Sequence, residues 1–296
     1  MTALLLHFDD EAALAGRIAA AAGLRCVKIE RHRFPDGELR LRLPPELPAE
    51  VVLLRGLQQP SEKLTEVLLA AGAARAQGVA RLTLVAPYLA YMRQDKAFAP
   101  GEAVSQRIVG DFLASLFDAL VTVDPHLHRV ATLAAAVPVV DARTVFGAPL
   151  LAALVAERRP GALLLGPDAE SAQWVAAAAA AQGFEHAVCA KLRHGDREVD
   201  IRLPDVAVRG RAVVLLDDVA SSGRTLARAA ELLRAAGAAS VDVAVTHALF
   251  AGDALATIRA AGVGEVWSTD CIAHPSNAVS VAPAIAAALR AMEQPS

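Results

Sequence analysis

The stretch "VVLLDDVASSGRTLARAAELLRAAGA", residues 213–238, sets two adjacent carboxylates, Asp217 and Asp218, behind an apolar run and ahead of a loop containing Ser221, Ser222, Gly223, Arg224 and Thr225. Backbone N–H groups at the first turn of a helix have no partner within it, and the helix dipole is positive there, so small residues at that place suit a phosphate. Two carboxylates would be repelled by that phosphate. They must face another part of the ligand, and neighbouring acids suit the vicinal hydroxyls of a sugar, directly or through a cation. A phosphate and a diol held close together describe a ribose 5-phosphate. The competing reading is an ordinary serine-capped helix behind a buried strand, with the acids solvated.

The elements that must position these groups are legible because the chain repeats itself. "ALLLHFDDEAALAGRIAAAAGL" from Ala3 matches "ALLLGPDAESAQWVAAAAAAQGF" from Ala162, and "DGELRLRLP" from Asp36 matches "DREVDIRLP" from Asp196. "VVLLRGLQQPSEKL" from Val51 matches "VVLLDDVASSGRTL" from Val213, and "VTVDPHLH" from Val121 matches "WSTDCIAH" from Trp267. Four matches in one order mean a tandem duplication. Within each copy, short continuous apolar runs alternate with helical patterns; Leu226, Ala230 and Leu233 form one such stripe. That pattern predicts an α/β fold of two tandem-duplicated, doubly wound parallel-sheet domains, with the boundary between residues 141 and 150. Both "DGELRLRLP" and "DREVDIRLP" alternate as half-exposed hairpin strands do. At the place of the acid pair the first copy reads "RGLQQPSEKL", with neither the acids nor the glycine turn. Folding of the unit therefore does not require Asp217 and Asp218, which favours a functional role for them.

With 296 residues, 55% of them hydrophobic, the chain can build two cores, and a net charge of −3 argues against nucleic acid or anionic membrane as partners. A small ligand fits better. Cys26, Cys189 and Cys271 are odd in number and far apart, which predicts buried thiols in a reducing compartment. The N-terminus lacks the pattern of a secretory signal, and the longest apolar stretch, "WVAAAAAAQGF", is too short to span a bilayer, so a cytoplasmic location is expected.

"LLDDVASSGRTL" resembles the phosphoribosyl diphosphate loop of type I phosphoribosyltransferases and of ribose-phosphate pyrophosphokinases, and the duplication points to the latter family. Further motifs agree in order: "FPDGE" at 34–38, "PYLAYMRQDK" at 87–96, "VDPH" at 123–126, "GPD" at 166–168 and "AKLRHGDREV" at 190–199. The resemblance implies two domains of the type I phosphoribosyltransferase kind. Residues 1–145 would bind ATP, and residues 146–296 would bind ribose 5-phosphate, with the last helix packing back on the first half. It implies transfer of the diphosphoryl group of MgATP to the anomeric hydroxyl, giving phosphoribosyl diphosphate and AMP, with Mg²⁺ as cofactor. Lys191 and Arg193 match the basic pair of the family's mobile catalytic loop. His126 and Asp168 match its metal positions, and Arg93 and Gln94 its nucleotide phosphate contacts. Phe34, Asp36 and Glu38 match the adenine-recognition hairpin, which in the family reaches a neighbouring subunit, so a homo-oligomer with shared sites is implied.

The chain departs from that pattern in several places. Arg224 stands where the family commonly has a second Gly, Glu170 follows Asp168 in place of a glycine-rich turn, and "DPHLHR" brings Pro125 and a His128 without an assigned role. These changes bear on donor choice and regulation. Two other functions share some of these features. A non-catalytic regulatory paralogue characteristically loses the basic loop, whereas Lys191 and Arg193 are present here. A phosphoribosyltransferase needs neither the duplication nor the hairpin.

Overall fold

The computed structural model describes residues 3–127, 129–194 and 198–292. The chain divides into two units. The first comprises the residues up to Val145 together with those from Val281 onward, and the second runs from Phe146 to Ser280.

Unit 1 opens with β1 (Leu4–His7), a short 3₁₀ turn (Asp9–Glu11), α1 (Ala12–Ala22) and β2 (Arg25–Lys28). A hairpin follows, β3 (Glu30–Arg33) and β4 (Leu39–Arg42), then β5 (Glu50–Leu54), α2 (Pro60–Ala76), β6 (Arg81–Ala86), α3 (Ser105–Leu116), β7 (Ala119–Val123), the single turn α4 (Leu133–Ala136) and β8 (Asp141–Val145). The main sheet has the order β2-β1-β5-β6-β7-β8, and every pairing in it is parallel. Alternate strand residues (Leu4, Leu6, Val51, Leu53, Leu82, Leu84) join Val67, Ala70, Ala71 and Ala74 of α2 and Leu113 of α3 in one core. The intervening residues Leu5, Val52, Leu54, Val85 and Val121 are equally buried and leave from the other face. Burial on both faces is what makes each strand read as an unbroken apolar run.

Unit 2 repeats the plan with α5 (Ala148–Arg158), β9 (Leu163–Gly166), a 3₁₀ turn (Ala169–Ser171), α6 (Ala172–Gln182) and β10 (His186–Val188). The hairpin is β11 (Ala190–His194) and β12 (Glu198–Arg202), followed by β13 (Ala212–Ala220), α7 (Arg224–Ala235), β14 (Ser240–Ala248), α8 (Ala254–Ala260), β15 (Val266–Thr269) and β16 (Asn277–Val279). The parallel sheet order is β10-β9-β13-β14-β15-β16, which is that of unit 1 strand for strand. One face packs on Leu226, Ala229, Ala230 and Leu233 of α7 and Ile258 of α8. The opposite face packs on Leu151 and Val155 of α5 and Trp174, Val175 and Ala178 of α6. Where α3 has 12 residues α8 has 7, part of the shortening that the change of spacing between the last two repeats requires.

The covering helices are exchanged between the repeats. Helix α5 follows the last strand of unit 1 yet belongs to unit 2, and α9 (Ala282–Met292) follows the last strand of unit 2 yet packs on α1, β7 and β8 of unit 1. Its buried Ile285, Ala286 and Leu289 close the face that α1 shares. Each hairpin is a separate antiparallel ribbon outside the main sheets. All three cysteines are free; Cys189 and Cys271 are buried, but Cys26, on the edge strand β2, is only partly covered, which corrects the expectation of three buried thiols. No helix among the described residues is long and apolar enough to cross a membrane.

Candidate active site

In unit 2 the sequence suggests that the strand stops before the acids, but β13 runs on through Asp217 and Asp218 to Ala220, held by pairing of Asp217 with Val245, Val219 with His247 and Ala220 with Ala248. Successive side chains of a strand leave on opposite sides, so the two acids do not form a simple parallel pair. Asp217 instead turns so that its Oδ1 accepts the Asp218 N–H at 3.0 Å. Burial pushes the Asp217 carboxyl well above the ordinary range, and the charges of Asp218 and Asp168 push it further. Asp168, just past β9, is buried, and its side chain accepts the Glu170 N–H at 3.0 Å while the Ser171 hydroxyl donates to its carbonyl at 2.6 Å. A Cβ on Gly166 would lie 2.2 Å from that hydroxyl, which explains the glycine of "GPD".

The loop behind the acids is shaped as much by packing as by openness. Gly223 caps α7 at φ +71°, a left-handed backbone that side chains disfavour, and a Cβ there would lie 2.8 Å from Ile258 Cδ1 and 3.1 Å from the Ala254 carbonyl of α8. Glycine at this cap lets α8 close against the loop, while Ser222 and Arg224 stay exposed and Ser221 and Thr225 half-buried. The first turn of α7, whose N–H groups have no partner within the helix, follows three residues after the end of β13.

Lys191 and Arg193 lie on β11, in register with Ile201 and Val199 of β12, and their side chains fall outside the described residues. His128 also falls outside them. Cys189, at the foot of this hairpin, is inert: burial, with the charge of Asp168, pushes its thiol up to about 12.

Unit 1 shows what became of the same place in the other repeat. After β5 stands Arg55, 1% exposed, with its guanidinium 4.6 Å from the centroid of the Phe8 ring. It binds both carboxylate oxygens of Asp10 at 2.8 and 2.9 Å, approaches Glu11 at 3.2 Å and pairs with Glu66 of α2. Glu11 accepts the Gly56 N–H at 2.5 Å, and buried Lys63 donates to the Gly56 carbonyl at 2.9 Å. The repeat without the acid pair has a buried cation at this place, surrounded by carboxylates from the 3₁₀ turn and α2.

That cluster has a pH signature. Burial pushes the Glu11 carboxyl up to about 7 against the pull of Arg55 and Lys63. A carboxyl raised in the folded state stabilises it fully below the unfolded value of 4.5, and that contribution is lost as pH rises through about 7. The loss amounts to about 3 kcal/mol at most. Glu11→Gln, neutral throughout, is expected to flatten the fall of thermal stability across this window in calorimetric scans. An unchanged slope would mean that Glu11 is ionised throughout.

The remaining expected site residues of unit 1 sit at the carboxyl ends of its strands or on its ribbon. Phe34, Asp36 and Glu38 form the exposed tip of the β3–β4 hairpin. Gly37 at φ +95° turns the chain, Asp36 accepts the Glu38 N–H at 3.1 Å, and Phe34 meets His32 edge to face at 4.8 Å. Arg93 and Gln94 follow β6. Gln94 accepts the Ser105 hydroxyl at 2.9 Å, and Gln106 donates to the Met92 carbonyl at 2.9 Å, so the start of α3 fixes this loop while Arg93 stays exposed. His126 follows β7 and is half-buried. A link that motif reading passed over joins these two loops: Asp95 accepts the Arg129 N–H at 3.1 Å and its guanidinium at 2.5 Å. The "RQDK" motif contained Asp95, but its partner lies 34 residues away and no local pattern announces it.

Backbone strain gathers at the same edges. Among the described residues, the non-glycine positions at positive φ are Gln59, Tyr91, Asp124 and Phe250, each in the segment that leaves the carboxyl end of a sheet strand. Such conformations persist where surrounding structure imposes them, commonly at functional sites.

Asp168, Asp217 and Asp218 are thus gathered in unit 2, whereas Arg93, Gln94 and His126 belong to unit 1; His126 and Asp168, the expected metal positions, lie in different units. Asp168, Asp217 and Asp218 are hard oxygen donors, and the charges of Asp218 and Asp168 oppose ionisation of Asp217. Among the described residues no three His, Cys, Asp or Glu side chains are grouped so as to hold a metal ion by themselves.

Residues 3–116 match the N-terminal domain of ribose phosphate pyrophosphokinase, and residues 203–287 match the phosphoribosyl synthetase-associated domain. The chain is 36% identical over 289 residues to the ribose-phosphate pyrophosphokinase of Methanopyrus kandleri, covering 97% of this chain and 98% of that one. It is 33% identical to that of Thermococcus kodakarensis, over 94% of this chain and 95% of the relative. The crystal structure of phosphoribosylpyrophosphate synthetase from Mycobacterium smegmatis has the same fold, with a TM-score of 0.85 at 24% identity over 99% of each chain. With its duplicated parallel sheets and these full-length relatives, the chain belongs to the ribose-phosphate pyrophosphokinase family of enzymes.

Proposed function

We propose that this enzyme transfers the diphosphoryl group of MgATP to the anomeric hydroxyl of ribose 5-phosphate, yielding phosphoribosyl diphosphate and AMP. The observation that carries the reading is the contrast between repeats: unit 1 has Arg55 at this place, paired with Glu11 and Glu66, while unit 2 keeps Asp217 and Asp218 just ahead of a small-residue helix start. Residues 146–296 take the sugar phosphate. Ser221, Ser222, Gly223, Arg224 and Thr225 hold its phosphate, and Asp217 and Asp218 its hydroxyls. Residues 1–145 take ATP, with Arg93 and Gln94 on its phosphates and Phe34, Asp36 and Glu38, from a neighbouring copy, on its adenine.

The anomeric oxygen attacks the β-phosphorus, the bond from that phosphorus to the oxygen bridging it to the α-phosphorus breaks, AMP leaves with that oxygen, and the hydroxyl proton passes to solvent. Charge spreads over the transferred group, and Lys191 and Arg193 neutralise it in flight. His126 and Asp168 would hold Mg²⁺, which would screen the phosphate oxygens. Asp217, charged only at a cost while empty, accepts from the sugar hydroxyl and thereby fixes the anomeric oxygen for attack.

Chromatography of nucleotides after incubation with Mg²⁺, ATP and ribose 5-phosphate tests this. AMP formed one for one with phosphoribosyl diphosphate is expected, and ADP alone would overturn the proposal. Binding of both substrates without turnover would identify a regulatory paralogue. Consumption of phosphoribosyl diphosphate only with added nucleobase would identify a phosphoribosyltransferase.

A further inference from the structure

We propose that Arg31 and Arg33 are positioning residues that clamp the nucleotide hairpin onto helix α2 through Glu66 and Glu62; this rests on reading Phe34–Glu38 as the adenine-binding turn. The β3–β4 ribbon hydrogen-bonds to neither edge of the main sheet. A free two-stranded hairpin is marginal in water, and a tip that must present a ring and two carboxylates at fixed positions needs more than its strands. Its apolar anchors, Ile29 and Leu43 at the feet and the partly buried Leu41 opposite Arg31, stop short of the tip that carries Phe34.

The tether nearer the tip is ionic. The guanidinium of Arg31 bridges Glu66, whose side chain is fully buried, and Asp9 at 3.0 Å, and it lies 5.6 Å from the centroid of the Phe8 ring. Arg33, two residues on and next to Phe34, pairs with Glu62, one turn earlier on α2. Two residues along a strand advance about 6.7 Å, and four along a helix about 6 Å, so the two pairs are in step. A single ion pair would leave the ribbon free to pivot. Two in step fix both its place and its direction. Glu66 is also held by Arg55, so the clamp is anchored in the same buried network of unit 1.

The sequence of the second repeat offers no acids for such a device. Its hairpin carries a basic pair at the equivalent spacing, Lys191 and Arg193, but the first seven residues of α7, "RTLARAA", contain no acid, and the residues four apart there are Arg224 and Arg228.

Arg31→Gln tests the clamp, because Glu66 keeps Arg55; the half-exposed Arg33→Gln is a second variant should the first fold poorly. KM for ATP is expected to rise at least about fivefold, with KM for ribose 5-phosphate and kcat at saturating ATP changed less than about twofold. Amide exchange across residues 30–42 should accelerate about tenfold, and Arg31→Lys should restore part of both. Faster exchange with unchanged KM for ATP would overturn the positioning role. Equal change in every constant, accompanied by lost thermal stability, would reduce the pairs to general structure. Phe34→Ala serves as the control: if it leaves KM for ATP unaltered, the adenine reading fails, while accelerated exchange in Arg31→Gln would still report a clamp.

Discussion

Lys191→Ala is expected to lower kcat about a thousandfold while leaving ribose 5-phosphate affinity within about threefold. The diphosphoryl group gains no new covalent partner from the protein in flight, so the protein's contribution is position and charge, and a cation at the reacting phosphate has its full effect only there. The sugar phosphate, by contrast, is assigned in the proposed reaction to the α7 loop and the acids of β13. Rapid-quench turnover and calorimetric titration separate the two quantities. Lost affinity with unchanged kcat would make Lys191 a binding residue, and no change in either would remove it from the site. Arg193→Ala should follow the same pattern, being two residues on along the same strand.

Asp217→Asn is expected to produce a protein that is more heat-stable and nearly blind to ribose 5-phosphate. Burial and the charges of Asp218 and Asp168 hold the carboxyl well above its ordinary range, so ionisation of the empty site opposes folding near neutral pH. The amide removes that cost without changing the shape, and the melting temperature should rise. In the proposed site it also removes the acceptor for the sugar hydroxyl, and affinity should fall about a hundredfold, equivalent to about 2.7 kcal/mol. Scanning calorimetry and sugar-phosphate titration on the same variant test both halves. A destabilised variant with normal affinity would show that Asp217 is a structural acid, despite its absence from the other repeat.

The exchange of covering helices explains why the repeat is clear in sequence while the units are not two consecutive segments. A helix that follows the last strand of one repeat is amphipathic whichever sheet it covers. Ile285, Ala286 and Leu289 of α9 and Leu151, Ala152 and Val155 of α5 offer similar apolar stripes. Nothing local in either stripe names its partner, and the assignment depends on which sheet face is left open.

What the sequence alone determined is the part governed by short-range pattern. Two copies of an alternating strand and helix plan, an antiparallel ribbon in each, the small-residue start of α7 and the motifs at strand ends all follow from hydrophobic periodicity and turn chemistry within windows of a few residues. The tertiary structure alone decided strand order, the continuation of β13 through two acids, the need for glycine at 223, and the partners of the charges. Each depends on contacts between distant residues. Pairing with β14 keeps Asp217 and Asp218 in a strand where composition suggests a loop. Ile258 and Ala254 approach Gly223 from another helix. Arg31 meets Glu66 across 35 residues and Arg55 meets Asp10 across 45. A buried charge must find its counterion wherever the fold brings one within reach, and that distance is set by packing, not by spacing along the chain.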